Sequence, residues 1–448
     1  MKQPPTVGIF IRRSVFFCIS NQKGHLLLYN YVIPQKNTKE GVLNEKLELK
    51  KLLTYMKSVY KIPEKIKGLS DKRKRRSIPL FNIVMPALLF LMLQYESFHT
   101  VFSAPESMGK RLKNCIHGKI PRIDVVRDLL TQIDPDEIRE IHDQTIDIIK
   151  RNRVFRKGTI GGYVVAGIDG VELFSSTKKS CPDCLNRKNR AGETEYFHRS
   201  VVCMTVGKAP HVILGQEMLK PRDGAEKDEG ELTGGKRLIR RLKERHGHFA
   251  DVIVADALYL NAPFINTIKE CGLDAVIRLK DERRELFQDA ESLFKRDEGK
   301  KRPFTCGKKN IEVWDLSGFE IDNSPHKLRV IRYHESWKEN ERRMWLVTTL
   351  EQGDPQVLWE MMNRRWDIEE NGFHQLKTYY HAKHCYCHAA TEVIFDLMLI
   401  GFNMRELYLY RRIQGFKESG ISRKSVDRKF CDDLLLEKVK SILYEKGG

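Results

Sequence analysis

Apolar residues recur along this chain with two different periods, and the change of period divides it. Leu43, Leu47, Leu52 and Met56 follow one another at helical spacing. Ile138, Ile141, Ile148 and Ile149 do so again behind Pro135-Asp136, a helix-start signal. A helical N-terminal domain is therefore expected over 36–155. From 160 to 280 short β-rich runs take over, at 162–168, 200–206, 211–216, 252–255 and 274–279, with helical stretches at about 235–246 and 262–271. Strands that first follow one another closely and later alternate with helices fit a mixed α/β sheet with helices on both faces.

The remainder sorts by the same criterion. Phe304-Thr-Cys, Ile311-Glu-Val-Trp, Leu328-Arg-Val-Ile-Arg-Tyr and Met344-Trp-Leu-Val-Thr-Thr are short alternating strands, which predict a β-rich insertion at about 285–350. Helices follow at roughly 355–378 and 391–412, the second strongly apolar, so the main domain is expected over 156–415 and a basic tail over 416–448. Residues 1–35 show no clear period and read as a weakly structured extension, which leaves Met56 or an earlier codon as an alternative start. The apolar run 78–93 contains Asn82, Pro79 and Pro86 and falls short of the ~20 residues of a bilayer span. It predicts a buried helix, and a cytoplasmic, nucleoid-associated protein.

Charge adds a partner to this outline. Lys and Arg number 79 against 60 Asp and Glu, a net charge of +19, with clusters at Lys72–Arg76, Lys150–Arg153, Arg237–Arg245, Lys300–Arg302 and Arg423–Lys429. A polyanion is the leading explanation, because phosphate contacts dominate nucleic-acid affinity, and the Lys72–Arg76 cluster makes the helical segment 36–155 the expected DNA-binding domain. Ten unevenly spaced cysteines in a long chain argue for reduced thiols or metal ligands rather than a disulfide framework.

Three carboxylates then stand out. Asp169 closes the apolar run Tyr163–Ile168, Asp256 closes Val252–Ala255, and Glu369 lies in Arg364-Arg-Trp-Asp-Ile-Glu-Glu-Asn-Gly-Phe-His-Gln-Leu-Lys377. Taken singly, an Asp where a strand meets a loop is more often a cap than a ligand. Taken together, two strand-borne Asp and a helical Glu suit Mg²⁺, a hard cation that prefers carboxylate oxygens and activates phosphodiesters for in-line attack. Gly170 after Asp169 is expected to leave room for a phosphate or water. Arg365 and Glu369 share a helix face at i and i+4, with Lys377 two turns on.

The order and context of these residues resemble the DDE transposases of bacterial insertion sequences, in the IS-four-like branch with a Tyr–Arg–Glu–Lys signature. Gly-Ile-Asp-Gly and Val-Ile-Val-Ala-Asp-Ala-Leu-Tyr look like the contexts of that family's first and second aspartates, and Arg-Trp-Asp-Ile-Glu like its glutamate segment. The likeness covers about 160–410 and implies an RNase H-like catalytic core. By that resemblance Asp169, Asp256 and Glu369 would bind Mg²⁺, for which Mn²⁺ substitutes, and Arg365 and Lys377 would contact the backbone of the element's end. The implied partner is double-stranded DNA, terminal inverted repeats and target, bound by at least a dimer. Two departures stand beside the likeness. The signature tyrosine falls at Met362, and Lys377 follows Glu369 by eight residues rather than seven.

A second constellation is Cys181-Pro-Asp-Cys184 with His198 and Cys203, which could close a tetrahedral structural Zn²⁺ site; Cys203 also reads as a buried small hydrophobe. The cluster His381, His384, Cys385, Cys387 and His388 reads as packed and surface side chains. The expected activity is cleavage at the ends of an insertion sequence and joining of the 3′ ends to target DNA. An RNase H-like nuclease without strand transfer, and a catalytically impaired DNA-binding descendant of a transposase, are the alternatives.

Overall fold

The structure, a computed structural model, describes the backbone of residues 10–11, 14–20 and 26–32, and backbone and side chains over 48–73, 77–99, 121–222, 227–413 and 415–433. The chain divides into two compact units. In the smaller, β1 (Phe10–Ile11), β2 (Ser14–Ser20) and β3 (Leu26–Val32) pair antiparallel into a ribbon. No period in the sequence of 1–35 announces this pairing. Both longer strands are rich in aromatic and β-branched residues, which favour pairing even where no alternation announces it.

In the larger unit the helices α1 (Glu48–Ser58), α2 (Ile62–Lys67), α3 (Phe81–Met92), α4 (Ile123–Leu130) and α5 (Pro135–Arg151) precede the sheet. The strands β4 (Val165–Ser176), β5 (Leu185–Lys188), β6 (Thr194–Thr205) and β7 (Ile213–Met218) come next, followed by α6 (Glu231–His246). Then β8 (Val252–Ala255), α7 (Ala262–Glu270), β9 (Asp274–Leu279) and α8 (Glu285–Phe294) alternate. A meander of β10 (Lys300–Cys306), β11 (Lys309–Phe319), β12 (Leu328–Trp337) and β13 (Asn340–Thr348) leads to α9 (Pro355–Arg364). A π-turn at Ile368–Phe373, α10 (His374–Thr378), α11 (Thr391–Arg412) and α12 (Arg423–Asp433) complete it.

One mixed sheet runs in the order β10-β11-β12-β13-β9-β8-β4-β6-β5, with β7 also on β6. At its centre β6 is antiparallel to β4 and β7, whereas β8 is parallel to β4 and β9 parallel to β8. The predicted β-rich stretch is thus a continuation of this sheet, joined through the antiparallel β13–β9 pair.

The helical segment expected as a separate domain belongs, in its described residues, to the same unit as the sheet. Its α5 starts as the sequence indicates, with Asp134 capping the Asp136 N–H and Pro135 in the first turn. Side chains then tie α5 inward. Asp143 accepts from Arg241 of α6 at 3.1 Å, and buried His142 meets Asn403 of α11 at 3.0 Å. Asn403 also hydrogen-bonds both the N–H and the C=O of Ile213, each at 2.8 Å, and so satisfies backbone groups on the far edge of β7. Three arginines of the basic cluster at Arg237–Arg245 are committed to this packing: Arg237 and Arg241 bond Glu217, and Arg245 bonds Glu140 and Asp147. Helix α3, the apolar run 78–93, is buried along its whole length. Among the described residues no helix is long and apolar enough to cross a membrane.

Candidate active site

Strand register brings the first two carboxylates together. Val165, Ala166 and Gly167 of β4 face Val252, Ile253 and Val254 of parallel β8, an offset of 87 residues. Asp169 and Asp256 are separated by that same 87, so continuing the register sets them side by side, one strand spacing (about 4.8 Å) apart. The next strand adds to the row. Ala255 faces Ile277 of β9, which aligns Asp256 with Arg278. Asp169 does not end its strand as expected, because β4 runs on to Ser176. What ends beside it is β8, at Ala255, and this frees the aspartate's flank.

Glu369 arrives from the other direction, in the π-turn after α9. A π-turn adds one residue to an α-helical path, and this accounts for the eight-residue interval to Lys377: the extra residue is taken up within Ile368–Phe373, so Lys377 keeps the side of the helix that Glu369 occupies. The segment sits close on the sheet. A Cβ at Gly372 would stand 2.9 Å from the Met204 sulfur of β6, so any larger residue there would have to displace the end of that methionine.

The electrostatics follow from this convergence. Burial raises the Asp169 carboxyl above its ordinary value, and the charge of Asp256 adds to the rise; the Gly170 N–H, 2.8 Å from Oδ1, and Arg365 oppose it. Glu369 is raised by burial and then by Asp169, against Lys377 and Arg365. Asp256 also feels burial most, but the Lys280 ammonium at 2.8 Å, the Ala257 N–H at 2.7 Å and Arg365 outweigh it and hold the carboxyl low. Two raised carboxylates facing each other are short of positive charge, the condition a divalent cation relieves.

The two expected phosphate contacts differ in kind. Arg365 is 7% exposed, and its guanidinium turns inward, 3.4 Å from Asp169 and against the ring of Trp366. Lys377 is half-buried beside Phe373. Met362, at the tyrosine position, is packed in the apolar core formed with the meander, so no hydroxyl reaches the site from there.

Some neighbours went unread in the sequence. Arg278 interrupts the apolar run Ala275–Leu279 and Lys280 follows it directly, a signal available without the structure. Glu231, the first residue of α6, gave none. Its carboxylate is paired with Arg199 and fills the space over Gly170, where a Cβ would lie 2.4 Å from the Glu231 Cδ. The room expected for a phosphate beside Gly170 is occupied by this fourth carboxylate.

The cysteine constellation is rearranged. Cys181, Cys184 and His198 converge, but Cys203 does not join them. It lies five residues beyond His198 on β6, about 17 Å along an extended strand, paired across to Ile168 and Gly215 and wholly buried. Burial pushes its thiol up to about 12, the behaviour of a small core residue. Its place is taken by His388.

A mixed sheet with two aspartates on neighbouring parallel strands and a glutamate brought onto them by a helical turn, ringed by Arg and Lys, defines a class of site suited to divalent cations and phosphate esters. Comparison with known proteins adds a likeness over part of the chain. Residues 204–403, a little under half the chain, match the family model described as a transposase DDE domain. The match supports a DDE transposase, an enzyme of a family that acts on DNA and uses divalent metal ions, generally Mg²⁺. No curated protein matches the chain.

Proposed function

We propose that this chain is an insertion-sequence transposase that binds terminal inverted repeats as a dimer, cleaves the phosphodiester at the element ends and joins the 3′ ends to target DNA. The observation that carries the reading is the shared register of Asp169 and Asp256 with Glu369 turned onto them; Asp256 and Glu369 lie within the stretch matched by the DDE family model, and Asp169 precedes it. The central order β7-β6-β4-β8-β9, antiparallel on one side of β4 and parallel on the other, supports an RNase H-like core for it. Asp169, Asp256 and Glu369 would hold Mg²⁺, with Mn²⁺ able to substitute; an all-oxygen donor set short of positive charge fits such an ion. When bound, the metal would activate the attacking oxygen and stabilise the leaving 3′ oxygen. The chain's own groups orient the site: Lys280 keeps Asp256 ionised, Arg365 balances Asp169, and Lys377 meets the DNA phosphate.

The test is nicking of a labelled duplex carrying the element's terminal repeat, in Mg²⁺ or Mn²⁺, by wild type and Glu369→Ala. Metal-dependent nicking at the element boundary is expected, reduced roughly 100-fold or more in the variant, the scale of losing one preorganised electrostatic contact. Hydrolysis without joining would replace the reading with a nuclease. Binding without cleavage would replace it with an impaired DNA-binding descendant.

A further inference from the structure

We propose that Cys181, Cys184, His198 and His388 form a structural zinc site that clips the β4–β6 hairpin to the chain segment entering α11. Their donor atoms all lie within 4.8 Å of one another. Cys181 Sγ is 3.5 Å from Cys184 Sγ and 3.3 Å from His198 Nε2, and Cys184 Sγ is 3.4 Å from His198 Nε2 and 2.9 Å from His388 Nε2. A tetrahedral zinc with bonds of about 2.3 Å to sulfur and 2.0 Å to nitrogen sets its ligands roughly 3.3–3.8 Å apart. Three of the four separations are in or near that span, and the fourth opens by a small rotation of His388.

The chemistry of the four donors also selects zinc. Two thiols and two imidazoles make a soft-to-borderline set that suits Zn²⁺ and not Mg²⁺. The sulfurs are too far apart for a disulfide, which needs about 2.05 Å. A redox pair would want one exposed, acidic thiol. Cys184 is instead buried, and Cys181 is only partly exposed. The Phe174 ring walls the cluster, 5.5 Å from the His198 ring and 5.1 Å from that of His388. Four protein donors leave no open coordination position, so the site is structural rather than catalytic.

Its placement gives it a task. The two cysteines sit between β4 and β5 and His198 on β6, so three ligands belong to the hairpin whose first strand carries Asp169. His388 follows the segment that carries Glu369 and lies at the entry to α11. A metal here joins the two stretches of chain that supply the first and third carboxylates, and it would do so whatever reaction those carboxylates serve.

The full chain, expressed with zinc in the medium and purified without chelator, decides the matter by its metal content measured by mass spectrometry. About one zinc per chain is expected, as for a closed four-ligand site. Cys203→Ser should keep the metal, His388→Ala should lose it, and His388→Cys, which restores a fourth ligand, should regain it. Cobalt-loaded wild type should show thiolate-to-metal charge-transfer absorption, stronger in His388→Cys; a merely packed histidine would not move that spectrum. Zinc well below one per chain in wild type after loading, with no charge-transfer band from cobalt, overturns the proposal even if a variant fails to fold. Loss of zinc in Cys203→Ser with retention in His388→Ala overturns the ligand set.

Discussion

Arg365 and Lys377 were read from the sequence as a pair, and their surroundings separate them. Arg365 is buried against Asp169, so its charge is spent within the protein; Lys377 keeps partial exposure on the helix face of Glu369. Each phosphate neutralised by a side chain contributes to the salt dependence of DNA binding. Lys377→Ala is therefore expected to lower the slope of log K against log salt by about 0.9, whereas Arg365→Ala leaves the slope unchanged and impairs nicking. Fluorescence anisotropy of a terminal-repeat duplex from low to moderate salt measures both; equal slopes for wild type and Lys377→Ala would remove the lysine from the interface. At this scale the sequence was legible where chemistry and spacing coincided, as with the two aspartates whose separation equals the strand offset. It was silent on Glu231 and grouped His388 with packed and surface side chains, because each reaches its cluster through tertiary packing across 62 and 204 residues, from Asp169 and Cys184 respectively.

Among elements, the π-turn is the one that periodicity could not announce. Patterning predicted a helix over 355–378, and the chain is helical there, but a straight α-helix would carry Lys377 about 100° out of phase with its expected place. The strands of 160–280 were legible from their apolar runs, as was the meander from its alternation. Helix α8, inside the stretch predicted as β-rich, went unread although Leu286, Phe287, Ala290, Leu293 and Phe294 keep helical spacing, because it is short and adjoins the alternating strands. If the π-turn is a one-residue insertion, removing exposed Glu370 should restore a regular helix and keep the phase of Lys377. Thermal stability and nicking should then stay within about tenfold of wild type, since surface changes that preserve packing cost little. Inserting an alanine after Glu370 instead turns the following residues by about 100° and should abolish nicking. Circular dichroism with the nicking assay on both variants checks this; an inactive but folded deletion would mean the π-turn itself is required.

In the larger unit as a whole, helices and sheet are fastened by buried polar contacts that respond to pH. His142 lies buried between α5, α11 and β7, where Asn403 donates to its Nε2. Burial, its largest influence, lowers the imidazole from 6.5 to about 4; Asp143 opposes the shift, and Arg241 and His246 add to it. With the folded value depressed, the unfolded chain takes up a proton between pH 6.5 and about 4 that the folded chain refuses, so stability falls as pH drops through that window and is level above it. The full effect is on the order of 3 kcal/mol. Urea unfolding of wild type and His142→Gln at a series of pH values isolates it from every other titrating group. The variant should be the less stable protein at pH 7.5, having lost a buried contact, yet the gap should narrow steadily below pH 6.5 because the glutamine takes up no proton in either state. Parallel curves would mean that His142 titrates alike in both states and that water reaches the junction of α5, α11 and β7.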